Sequence, residues 1–291
     1  MIVITGASGN IGSRLTDMLL RDQQKIRVVS RTEDKVAQFK KRGAETAIGN
    51  FLDADFCQQA FTGCEKAFLV VQGNPNNGQH TEEEIQMGQN FARALTAADV
   101  KHAVFSSSLG ADKNTGAPII DCKLQVENIL KDSGVPITVL RPGNFLENMY
   151  AFLETISSGF FTHPLDGGIK TPHVSVRDIA LIAKRAFERG PKGFEIYDMP
   201  GAAEYSMRDI ATAISNQLNR MIKYMRISDD QFIEVFTGFG ISQKFCDDIL
   251  SMFHYFERAE FSFDRTRVAH EFNYTPTTLE QFVPELVKMI K

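Results

Sequence analysis

Directly after a short apolar run, Ile2-Val3-Ile4, the chain reads Thr5-Gly6-Ala7-Ser8-Gly9-Asn10-Ile11-Gly12. Glycine at 6, 9 and 12 permits a tight turn, lets backbone approach a pyrophosphate and lets a helix pack closely on the preceding strand. Amides at the start of that helix then face the anion, with Ser8, Gly9, Asn10 and Ile11 supplying them. A glycine-rich turn with no ligand is the plainer reading. The strand before it and the helical spacing of Ile11, Leu15, Met18 and Leu19 after it favour a dinucleotide.

A site built for NAD carries an acid on the ribose hydroxyls at the tip of the second strand. Here the second apolar run ends Val28-Val29-Ser30-Arg31. A guanidinium suits a 2′-phosphate, so NADP(H) is expected in preference to NAD(H), with Lys35 as a second phosphate contact. Glu33 and Asp34 compete for the role of the acid; with Thr32 as N-cap they fall instead in the first turn of a helix, where acids favour the dipole. In Gly49-Asn50-Phe51-Leu52-Asp53, Phe51 and Leu52 are expected to flank the adenine. Asp53 either reaches the adenine amine or caps the next helix.

These residues need a scaffold, and the alternation of the chain describes one. Apolar runs at 2–5, 27–30, 67–71, 103–106 and 137–140 are separated by amphipathic stretches. That is the pattern of an α/β doubly wound parallel sheet, a Rossmann fold, with right-handed helical crossovers. Ligands in such sheets bind at the carboxyl ends of the strands. Val70, Val71, Gln72, Ser106, Asn144 and Phe145 are therefore expected beside the nicotinamide, and Ser107, Ser108 and Asn148 beside a substrate. The serines could equally cap the strand-to-loop turn.

After about Asn148 the alternation weakens. The expected division is a dinucleotide-binding domain over 1–150 and a smaller, mostly helical substrate lobe over 151–291, from which late segments could return to the first. Residues 159–172 read as an irregular, glycine- and proline-punctuated stretch. Helices are expected over 176–188, 206–218 with Ser206 as N-cap and Asp209 three residues on, and 229–256. Phe152, Phe160 and Phe161 could form an apolar pocket for a planar substrate. His163 and His173 could line its mouth.

Composition excludes several classes. Lysine plus arginine number 32 against 36 acids, a net charge of −4, and no run of five basic residues occurs, so direct nucleic-acid binding is not expected. The cysteines, Cys57, Cys64, Cys122 and Cys246, lack metal-ligand spacing and read as reduced thiols; the histidines lack it too, so no metal is expected. No apolar stretch approaches the ~18 residues of a membrane span, and the chain enters its first strand without a signal-peptide pattern. Cytoplasmic placement and no membrane contact are the expectation.

The glycine loop at 6–12, Arg31, Ser106-Ser107-Ser108 and Leu140-Arg141-Pro142-Gly143-Asn144-Phe145 leading to Asn148 together resemble the NmrA-like group of atypical short-chain dehydrogenases/reductases. Val174-Ser175-Val176-Arg177-Asp178-Ile179-Ala180 is similar to a second-lobe stretch of that group and of sugar epimerases. The resemblance covers nearly the whole chain. It implies NADP binding with either reduction of quinones or related carbonyl compounds, or redox sensing without turnover.

The wider superfamily places an acid/base tyrosine four residues before a lysine. Lys123 matches that lysine, but Ile119 stands at the tyrosine position, and no Tyr-x-x-x-Lys occurs anywhere in the chain. This argues against an ordinary alcohol dehydrogenase or a nucleotide-sugar epimerase. By resemblance to isoflavone-reductase-like enzymes, which keep the lysine alone, Lys123 is expected to bind the nicotinamide ribose, to act as proton donor or base, or simply to sit solvated on its helix. The leading expectation is an NADPH-dependent reductase of a quinone-like or conjugated carbonyl acceptor. The alternative is a non-catalytic NADP(H) sensor that regulates a protein partner.

Overall fold

The computed structural model describes residues 1–290. Its first half alternates β1 (Ile2–Ile4), α1 (Asn10–Arg21), β2 (Ile26–Ser30), α2 (Ala37–Lys40), β3 (Glu45–Ile48), α3 (Ala54–Phe61), β4 (Lys66–Leu69), α4 (His80–Ala97), β5 (His102–Ser106), α5 (Pro118–Asp132) and β6 (Ile137–Pro142). Beyond these come β7 (Asn144–Phe145), a 3₁₀ stretch (Leu146–Phe152), α6 (Leu153–Ser157), β8 (Phe160–His163), β9 (Thr171–Val174), α7 (Val176–Arg189) and β10 (Phe194–Met199). The chain ends with β11 (Ala203–Tyr205), α8 (Met207–Leu218), β12 (Lys223–Arg226), α9 (Asp229–Gly238), α10 (Gln243–Arg258), α11 (Arg265–Glu271) and α12 (Leu279–Val287).

Seven strands form one parallel sheet in the order β10-β6-β5-β4-β1-β2-β3. The order reverses between β1 and β4, which opens a crevice at their carboxyl ends. The inner strands are mostly apolar and buried at nearly every position because both faces are covered. One cover is built by α1 and α7, with Leu15, Leu19, Ile179, Ile182 and Ala183 buried against the sheet; the other by α3, α4 and α5, with Phe61, Phe91, Leu95, Val126 and Leu130. Thr5 stitches the crevice at its base: its hydroxyl donates to the Phe68 carbonyl (3.1 Å) and accepts from the Val70 amide (2.7 Å).

Past residue 150 the chain does not stay in a separate lobe. Helix α7 and strand β10 return to the large sheet, β10 pairing with β6 along six residues. The remainder gathers around a third core in which Phe161, Ile210, Ile214, Phe282 and Leu286 are buried. The supposedly irregular stretch before Pro172 contains β8, which pairs with β12, and β9 opens at Thr171 and pairs with β7 and β11. Ser206 and Asp209 form the expected reciprocal capping box of α8. The single helix expected over 229–256 is two, because Gly240 takes φ +83° and Ser242 caps a fresh start by accepting from the Phe245 amide. Among the described residues no helix is long and apolar enough to cross a membrane.

His163 and His173 do not line a pocket mouth. Both are buried, the first among Phe152, Phe161 and Phe253, and burial drives their pKa down to about 3 and about 4. Burial holds His102 at about 4 as well. These imidazoles stay neutral in the fold but protonate at about 6.5 once unfolded, so the unfolded state binds more protons in mild acid. Stability present above pH ~6.5 is therefore lost as pH falls toward ~4, by about 1.4 kcal/mol per pH unit for each histidine. Buried Glu147 and Asp178, whose pKa values burial raises, oppose part of this loss. Thermal melting should show Tm falling between pH ~7 and ~5; a flat profile would mean that the histidines take up protons without unfolding.

Candidate functional site

A cleft of about 780 Å³ runs along the carboxyl ends of β1, β2, β4, β5 and β6. At its centre the loop after β1 turns through Gly6 at φ +61°, closes with the Gly9 amide on the Gly6 carbonyl (2.9 Å), and starts α1 at Asn10. Gly6, Ser8, Gly9, Asn10, Ile11 and Gly12 all line the cleft. No side chain caps α1, so its first amides stay available to an anion. At Gly12 a Cβ would lie 2.2 Å from the Gly6 carbonyl oxygen, so only glycine lets helix and loop approach this closely. This cradle fits the pyrophosphate of a dinucleotide.

Toward β2, Arg31 and Lys35 line the same cleft, exposed and, among the described residues, outside any ion pair within 4 Å, and could hold a phosphate monoester. Glu33 and Asp34 do not line it. Thr32 is not an N-cap, because the helix starts only at Ala37, after Val36; Glu33 instead pairs with Lys40 at 2.7 Å. Asp53 takes the capping alternative, its Oδ1 accepting from the Asp55 and Phe56 amides (3.0 and 3.1 Å), while the cleft wall here is Gly49, Asn50, Phe51 and Leu52. Asn90 of α4 holds this wall by donating to the Phe51 carbonyl (2.7 Å), and the Phe51 ring packs edge-on to Phe91 at 4.9 Å.

The strand-end residues Val70, Val71, Gln72, Ser106, Ser107, Ser108, Asn144, Phe145 and Asn148 are brought together along the cleft's other half. Ser107 is less free than its position suggests. Its hydroxyl donates at 2.5 Å to buried Glu127, which holds Arg141 bidentately (2.9 and 2.6 Å). The serine therefore ties the end of β5 to α5 and β6. Asn144 donates to the Thr171 hydroxyl at 3.2 Å.

Lys123 enters this half from α5, mostly buried. Its ammonium pairs with Glu84 of α4 and donates weakly to the Val71 carbonyl (3.4 Å). Ile119, one turn earlier, presents an apolar side chain to the cleft where a tyrosine hydroxyl would stand. The neighbouring Cys122 thiol donates to Glu84 at 3.2 Å, and burial pushes its pKa up to about 12, which makes it a poor nucleophile.

Phe152 does not reach the cleft. It packs on Phe161 and His163 in the third core, Phe161 is fully buried, and Phe160 faces solvent. The aromatic wall opposite the strand ends comes instead from Phe245, Ile249, Met252 and Phe256 of α10, with Phe261 beyond it. Their spacing reads as a helical stripe in the sequence, but a stripe shows only that a face is covered. What turns it toward the strand ends is a clamp: Ser242 donates through its amide (2.9 Å) and hydroxyl (2.8 Å) to the Pro75 carbonyl in the loop after β4. Buried His80 at the start of α4 lies 3.1 Å from Asp248 of α10, without hydrogen-bond alignment. A second, more open depression of about 550 Å³ against α8 and α12 contains none of the strand ends. Among the described residues no cluster of histidine, cysteine and acids could hold a metal.

The sequence profile of the NmrA-like family matches residues 1–283. The NAD(P)H azoreductase of Xenophilus azovorans is 27% identical over 248 residues, covering 85% of this chain and 84% of that protein. Among solved structures, the NADPH-dependent quinone oxidoreductase of Escherichia coli in complex with NADPH superposes with a TM-score of 0.82 at 24% identity, covering 99% of this chain and 100% of that one. The triphenylmethane reductase of Citrobacter sp., complexed with NADP(H), superposes with a TM-score of 0.83 at 18% identity, covering 98% and 100%. At these identities the two superpositions are likenesses of fold.

Proposed function

Because the chain belongs to the NmrA-like family, we infer that it binds NADPH along the cleft and reduces a quinone-like or conjugated carbonyl acceptor. The observation that carries this reading is continuity: one cleft joins a glycine cradle and two free cations to an apolar, aromatic-walled end over β4 and β5. The first half suits a dinucleotide with a 2′-phosphate; the second suits a flat, weakly polar ring. The azoreductase likeness supports reductase chemistry of some kind.

Bound in this cleft, the nicotinamide ring would supply a hydride. The chain's own contribution is alignment and exclusion of water. Phe245, Met252 and Phe256 close over the strand ends, and Ile119 offers no proton. A quinone tolerates that lack because its reduced oxygens are far less basic than an alkoxide, so solvent or Lys123 can complete the protonation.

Absorbance loss at 340 nm with NADPH and then NADH, against a panel of quinones and conjugated carbonyls, tests the reading. Oxidation of NADPH in preference to NADH is the expected result. Binding of NADPH without oxidation would overturn the reductase and favour a sensor whose affinity for a protein partner differs between ligation states. In Arg31→Ala, loss of the charge-assisted phosphate contact should weaken NADPH by about 10- to 150-fold and leave NADH nearly unchanged. Equal effects on both would remove Arg31 from the 2′-phosphate site.

A further inference from the structure

We propose that Glu84 is a cofactor-binding residue: with Lys123 it forms a donor–acceptor clasp for the vicinal diol of the nicotinamide ribose. This rests on the NADP(H) reading above and names a contact that the sequence did not single out.

The argument is a count of hydrogen-bonding capacity. An ammonium has three N–H donors. Lys123 directs one to Glu84 and one to the Val71 carbonyl, which leaves one unassigned. A carboxylate has about four acceptor positions. Glu84 fills two on Oε2, with Lys123 and the Cys122 thiol, and only one on Oε1, from the Gly73 amide at a long 3.4 Å. The pair therefore offers one spare donor beside spare acceptor capacity. Each hydroxyl of a vicinal diol both donates and accepts, so a diol matches this pair better than either charge alone.

Position supports the same assignment. Both side chains line the cleft and are mostly buried, with side-chain exposure of 13% and 12%. They sit where Val71 and Gly73 leave the end of β4, on the apolar side of the glycine cradle and away from Arg31. A lone buried carboxylate would repel a phosphorylated cofactor. Paired with Lys123 it carries no net charge to do so, and ribose hydroxyls are neutral.

The test compares two ligands by calorimetry or fluorescence: NADP⁺, and 2′,5′-ADP, which lacks the nicotinamide ribose. In Glu84→Ala, NADP⁺ should bind about 10- to 100-fold more weakly while 2′,5′-ADP stays within about twofold of wild type. Glu84→Gln, of the same shape and retaining one acceptor oxygen, should lose less NADP⁺ affinity than Glu84→Ala. Unchanged NADP⁺ binding in both variants overturns the clasp. So does a parallel loss of both ligands in Glu84→Gln, which would make Glu84 structural. A wild-type chain that binds neither ligand sinks the cofactor reading and the clasp with it; one that binds both ligands but reduces nothing sinks only the reductase.

Discussion

Gly12→Val is expected to weaken NADPH binding by about a hundredfold or more, as losing one or two charge-assisted amide–phosphate bonds would. The added Cβ would meet the Gly6 carbonyl oxygen at 2.2 Å, the Gly6 carbonyl carbon at 2.7 Å and the Ala7 Cα at 3.0 Å. All three are backbone, and Gly6 is locked in its left-handed turn at φ +61°. Helix α1 must then retreat from β1 and carry its free amides away from the cradle. Overpacking against Leu15 and its neighbours in the core should also cost about 1–3 kcal/mol of stability. Gly9→Ala is the control: its Cβ would sit 3.2 Å from the same oxygen, a clash that a small adjustment relieves. Titration of both variants with NADPH checks the prediction, and equal losses at the two positions would defeat it.

Removal of Glu127 should produce the largest loss of stability. Its carboxylate is almost fully buried, holds Arg141 bidentately and accepts from Ser107, while among the described residues Arg141 keeps only Asp112 at 3.0 Å as another ion-pair partner. Glu127→Ala therefore leaves a buried guanidinium short of its main counter-charge, at about 3–5 kcal/mol. At about 2–4 °C per kcal/mol, Tm should drop by about 6–20 °C. A Glu127→Leu, Arg141→Met double variant should recover much of this, because replacing both partners removes the stranded charge. A double variant no more stable than Glu127→Ala would show that packing, not the ion pair, sets the cost. Glu127 lies one turn after Lys123 on α5, so the single variant should also lower activity below what thermal loss explains.

What the sequence determined by itself is short-range. The glycine loop between β1 and α1 and the Ser206 and Asp209 capping box rest on contacts between residues a few positions apart, and each strand announces itself as a short local apolar run. Such signals survive in a linear text because their geometry is set by the local backbone. Arg31 belongs here as well, since the end of β2 is a fixed place in this fold.

Tertiary structure alone decided which distant groups meet. Glu84 and Lys123 are 39 residues apart, and nothing in a list of 36 acids marks the one that faces this lysine. The stripe on α10 was legible as a covered face, but whether it covers a core or a substrate depends on Ser242 reaching Pro75, 167 residues away. Loop position and aromatic character point His163, His173 and Phe152 toward a pocket, but Phe152 and His163 pack with Phe161 in the third core and His173 is buried beside Tyr205. The reason is physical: burial and charge pairing follow from how the lobe folds back on the sheet, and residues of the same type are interchangeable until that packing assigns each its neighbours.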